Sequence, residues 1–185
     1  MRAVRAAREQ AASRQPAKVR GMSLEERLNE LPLWAAVAVA VRSAQLARPA
    51  ITKPIDYVTP EEIDEAIALC AKVLTAPAEH VDQAPYNYGD HAVDAASAAG
   101  SAEETAAAEA IAGMAYATAS ALEHTERPRD HLRERAMQSS WRAVRATASH
   151  WKHAPQVKAL IERAEAAAKQ HGWTDASAVP VDALG

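Results

Sequence analysis

No phenylalanine occurs in this chain, and only four tryptophans and four tyrosines do among 185 residues. A conventional core of large aromatic side chains is therefore excluded. There is one cysteine, Cys70, so no internal disulfide can form, and its place in a helical apolar rhythm makes it a small core residue rather than a reactive thiol. The six glycines are never clustered as a phosphate-binding loop requires. No Gly-x-Ser-x-Gly is present, nor the Glu-x-x-His of a di-iron bundle. No apolar run approaches the roughly 18 residues of a membrane helix, and no apolar signal segment follows the basic start. A cytoplasmic protein without cofactor or membrane contact is expected.

What the chain has instead is alanine, 47 residues or about a quarter of the total. Alanine is the best helix former and adds almost no bulk, so closely packed helices are predicted. A few larger residues must carry the stability, among them Trp34, Ile67, Leu74, Ile111, Met114, Leu122, Trp141 and Trp151.

Helix starts are well marked. Ser23 to Glu26 is a capping box, and Thr59-Pro60-Glu61-Glu62 combines a cap, an N1 proline and two acids. Ser101 to Glu104 reads as a further capping box. Pro32 suits the first turn of a helix to Ala47, with Leu33, Trp34, Val37 and Val41 on one face. Ile63, Ile67, Cys70 and Leu74 form a buried stripe. Asp90 is placed to cap a helix ending before Gly100, and Gly172 to end the last one. These signals predict an all-α fold: a single bundle of five to six mostly antiparallel helices over residues 23–173. Residues 1–22 are expected to be a disordered basic tail, either dispensable, with Met22 as the true start, or an arm for anionic partners. Residues 174–185 are expected to be a loose tail, with Trp173 folded back onto the body.

Net charge is −3, unevenly spread. Residues 1–22 hold six basic side chains against Glu9 alone, so −8 falls on the remainder. Between Thr59 and Ala110 only Lys72 opposes the acids. No aromatic residue interleaves the arginines of the tail, so it has no platform for base stacking, and any nucleic-acid binding by it would be weak and indiscriminate.

Three constellations are candidates for function. The first is the acidic, aromatic loop 76–90 and the start of the next helix: Asp82, Tyr86, Tyr88, Asp90 and Asp94. Loops of this length are often functional, and exposed aromatics favour partner contacts. The second is a ridge of Arg135, Arg142, Arg145 and Lys152 opposite an apolar stripe, which reads as a solvated face or an anion-binding one. The third is histidine: His91 beside Asp90 and Asp94, the pair His150 and His153, and His124. A zinc site needs three or four converging ligands, which the spacing alone does not supply.

Two segments also resemble an alanine-rich, all-helical family of bacterial immunity proteins. One is Leu33-Trp34-Ala35-Ala36, Arg42, the proline connection and the Glu62-to-Ile67 helix; the other is the alanine-rich pair from His91 to His124. Together they span about half of the chain. The resemblance implies a helical domain that neutralises a toxin by binding it, with no catalytic residues. The reading is thus a non-enzymatic protein-binding module, immunity- or antitoxin-like, whose acidic surface steers toward a basic toxin. The alternative is a helical-bundle metal protein or enzyme that uses the histidines. Oligomeric state is not legible.

Overall fold

Ser23 caps the first helix as its capping box requires: its hydroxyl accepts from the Glu26 N–H at 3.2 Å, and the Glu26 carboxylate accepts the Ser23 N–H at 2.7 Å. The computed structural model describes residues 21–80, 85–149 and 152–185. The basic tail, Asp82, His150 and Trp151 therefore lie outside the described residues, apart from Gly21 and Met22 at the end of that tail.

The described residues form seven α-helices: α1 (Leu24–Asn29), α2 (Leu33–Ala47), α3 (Pro60–Thr75), α4 (Tyr86–Ala98), α5 (Ala102–Glu126), α6 (Asp130–Ser149) and α7 (Ala154–His171). Short 3₁₀ turns lie at Arg48–Ala50, Pro77–Glu79 and Val181–Leu184. The count is seven rather than five to six. Pro32 makes α1 a separate helix, and the segment before Gly100 is a full 13-residue helix.

α2 is the centre. All nine residues from Leu33 to Val41 are buried, so its apolar character is not confined to one face. A helix that is apolar all round belongs inside, and α3, α5, α6 and α7 all contact this one. α5 is paired most extensively with α6, and α4 lies along α5. At Gly113 the α5–α6 approach is so close that an added Cβ would sit 2.6 Å from the Ala143 backbone nitrogen. Small residues let the two backbones meet there.

Two helix starts differ from expectation. α4 begins at Tyr86, after Pro85, so Asp90 is a residue within the helix and not its cap. The Ser101 hydroxyl does accept from the Glu104 N–H, but the Glu104 carboxylate takes the Gly100 N–H at 3.0 Å rather than that of Ser101. The box is thus displaced by one residue.

The C-terminal residues are not loose. Val179 and Leu184 are fully buried, and the Val179 N–H donates to the Leu74 carbonyl at 2.9 Å. Asp175 accepts the Leu33 N–H at 2.7 Å through one oxygen and Arg133 Nε at 2.7 Å through the other. Trp173 packs against the core, as its position suggested. The segment works as a strap because Val179, Val181 and Leu184 find buried sites, and the partly exposed Asp175 carboxylate finds a helix start and a guanidinium.

Candidate functional site

Between Pro54 and Pro60 the chain reverses sharply. Ile55 and Val58 exchange two backbone hydrogen bonds at 3.0 Å each, and both side chains are buried. Asp56 takes the left-handed conformation, φ 54°, which aspartate tolerates better than bulkier residues. The turn leaves Tyr57 at its tip, 51% exposed. Apart from Met22 it is the only large apolar side chain so exposed among the described residues.

Tyr57 is not free. Its hydroxyl donates to Asp94 Oδ2 at 2.5 Å, and its ring stands edge-on to His91, centroids 5.4 Å apart. One turn earlier on α4, Asp90 Oδ1 accepts from the Tyr116 hydroxyl of α5 at 2.5 Å. Gly89 makes this possible: a Cβ there would lie 2.9 Å from Tyr116 Cε1. The result is a surface of two exposed carboxylates, each held by a tyrosine from another element, with His91 between them.

Both phenols ionise late. The hydrogen bond to Asp94 is the largest reason that Tyr57 is pushed up to about 12, with some burial and nearby acids adding to it. Burial does most for Tyr116, also pushed up to about 12, with the Asp90 hydrogen bond second. Near neutral pH both stay protonated donors. The crevice behind this face, between α3, α4 and Ile111, holds only about 10 Å³, about the least a single water needs. Among the described residues, no pocket large enough for a small molecule lies behind this face.

The sequence candidates divide. Asp90 and Asp94 lie on this face. Tyr88 is half-buried against the core. Tyr86 packs its ring 6.3 Å from that of Tyr116 and seals its hydroxyl away from solvent. Burial, more than the nearby Glu123, pushes the Tyr86 phenol up, against the opposing effect of Ser120. Asp82 lies outside the described residues. Tyr57 and Tyr116 were not singled out from sequence. An aromatic between two prolines, and an antiparallel turn at Gly100 that sets Asp90 against Tyr116, are the signals that point to them.

Arg142 and Arg145 of the basic ridge line one groove between α5 and α6. Arg142 Nε donates to Glu109 of α5 at 2.6 Å, so that charge is answered within the fold. Arg135, Arg145 and Lys152 are exposed. Of the histidines, His124 accepts the Arg129 N–H through Nδ1 at 3.2 Å and closes the α5–α6 turn. His153 Nδ1 lies 2.9 Å from Gln156 Oε1. His91 faces Tyr57, and His150 is not described. Among the described residues, no three His, Cys, Asp or Glu side chains are grouped to hold a metal.

Compared with known protein families, with curated proteins and with solved structures, the chain has no match.

Proposed function

We propose that this protein is a non-enzymatic binding module, immunity- or antitoxin-like, that engages a basic partner protein through Tyr57, Asp90, His91 and Asp94. The half-exposed Tyr57 ring, fixed by Asp94 and His91, carries the reading. Tyrosine supplies contact area at low entropic cost, and hot spots are enriched in it. The hydrogen bond and ring contact hold it in place before binding, which lowers the cost of ordering it. The carboxylates around it, on a segment where Lys72 is the sole opposing charge, favour encounter with a basic surface.

The test uses the full chain as bait at low salt, followed by affinity measurement on whatever protein is retained. Wild type is expected to retain a basic partner, with association slowing as salt rises. Tyr57→Ala should weaken the complex roughly tenfold or more if the ring is a hot spot. Asp94→Asn should weaken it less and reduce its salt dependence. Retention of no partner, or an affinity indifferent to both substitutions, would overturn the reading.

A further inference from the structure

α5 and α6 lie side by side with opposite charge. From Ala102 to Glu126, α5 carries five glutamates and no lysine or arginine. From Arg135 to Ser149, α6 carries three arginines and no acid. The two helices run antiparallel: Gly113 meets the backbone at Ser139 and Ala143, and Glu109 accepts from Arg142 Nε at 2.6 Å. Counted outward from Gly113 along both helices, Glu109 and Arg145 stand at one level.

A groove of about 620 Å³ opens between them. Ala102, Ala106 and Ala146 line it with little bulk, and Glu109, Arg142 and Arg145 bring charge to it. Small side chains there leave room for another helix to approach closely. Glu109 and Arg142 are each about a third exposed, so their pair is reachable from outside. Arg145 is exposed and has no carboxylate within ion-pair distance among the described residues. A carboxylate offers about four acceptor sites, so Glu109 can hold Arg142 and still receive a second guanidinium.

This surface is complementary to itself. An acidic occupant would suit α6 but meet the glutamates of α5, and a basic one would do the reverse. A two-fold axis along the groove satisfies both, because it lays the acidic helix of each copy over the basic helix of the other. The same rotation keeps each residue at its own level, so Glu109 faces the partner's Arg145. We infer that the α5–α6 groove is the interface of a symmetric dimer of this chain, closed by two Glu109–Arg145 pairs that bridge the copies. None of the groove's residues belongs to the Tyr57 face, so the inference does not rest on the partner-binding proposal.

The test is sedimentation velocity of the full chain from low to high micromolar concentration. At low salt a monomer–dimer equilibrium is expected, shifting toward monomer as salt rises. Arg145→Glu sets like charges opposite each other twice per dimer and should weaken association roughly tenfold or more. Lys72→Glu, the same change of charge on α3, should leave association unchanged. Glu109→Lys alone should also weaken it. An equimolar mixture of Glu109→Lys with Arg145→Glu should restore a dimer, since the mixed pair has opposite charges at both bridges. Ala102→Trp fills the groove from an exposed position without changing charge, and should weaken association too. It keeps the test valid if Glu109→Lys fails to fold. A chain that stays monomeric at every concentration, a dimer indifferent to Arg145→Glu or to Ala102→Trp, or folded charge variants that do not rescue each other would each overturn the inference.

Discussion

The α5–α6 seam and the surroundings of α2 close the same core with opposite materials. In the seam, Gly113 of α5 meets the α6 backbone at Ser139 and Ala143, and Ala110 and Ala117, which share its face of α5 at i−3 and i+4, are fully buried, as is Ala143. Around α2 the fully buried alanines of the helix are joined by large side chains that are also fully buried: Trp34, Leu33, Ile161 and Leu184. Burial of apolar area stabilises in proportion to the area covered. In the seam that area comes from backbone approach, so atoms added there push the helices apart. Around α2 it comes from the side chains themselves, so atoms removed there leave a cavity.

The sharpest way to break this contrast is Trp34→Ala. Trp34 is the largest fully buried side chain among the described residues. Truncation of a buried tryptophan costs about 3–5 kcal/mol, because the transfer energy is lost and the cavity only partly collapses. Urea unfolding of the variant should show that loss in the midpoint. A cost below about 1 kcal/mol would mean that the site collapses fully or was never tightly packed.

The opposite substitution tests the seam. In a free helix Gly→Ala stabilises by about 0.8–1.0 kcal/mol. At Gly113 the added methyl would lie 2.6 Å from one backbone atom of α6 and 2.8 Å from another, and backbone cannot rotate aside. Overpacking costs about 1–3 kcal/mol and outweighs the helical gain. Gly113→Ala should therefore destabilise, although alanine is the better helix former. Gly100→Ala is the control: the nearest atom is the flexible Glu104 carboxylate at 3.4 Å. A stabilised Gly113→Ala protein would show that the helices can part freely, and the contrast would fail.

The two regions also differ in how far the sequence reveals them. The all-helical character was legible, because caps such as Ser23 and Thr59 and breaks such as Gly172 act locally, but the count of five to six and the cap at Asp90 were not correct, since α4 begins at Tyr86. The centrality of α2 was not legible, because alternating alanine and valine hide which face is buried. Alanine fits either environment at little cost. Asp94 was legible as an exposed acid, but its tie to Tyr57 spans 37 residues and depends on the left-handed Asp56. The strap was misread for a related reason. Val179, Val181 and Leu184 are too few to show a period, and their burial depends on sites that α2, α3 and α7 leave open.

Asp175 gives the smallest effect and the most specific one. The N-terminus of α2 has no side-chain cap of its own, since Pro32 occupies that position. Asp175, 142 residues later, supplies the missing acceptor to Leu33 and pairs with Arg133. Loss of a cap costs roughly 0.5–2 kcal/mol. Both partners of the ion pair are a third or more exposed, so that pair adds only a few tenths. Asp175→Ala should thus cost about 1 kcal/mol near neutral pH. The pH dependence identifies the carboxylate as the cause. Burial is the largest single influence on Asp175 and raises its pKa, but Arg133 and the Leu33 N–H together outweigh it, and the net value lies below the ordinary 3.8. A depressed carboxylate contributes its full stability above its unfolded pKa, near 3.9, and loses it as pH falls through the folded value. Asp175→Asn keeps an acceptor for Leu33 but no charge. Its deficit against wild type should be constant from neutral pH down to about 4.5 and shrink below that. A deficit that is unchanged at pH 3, or that grows there, would mean that Asp175 is not held as a carboxylate and that the strap is anchored by its apolar residues alone.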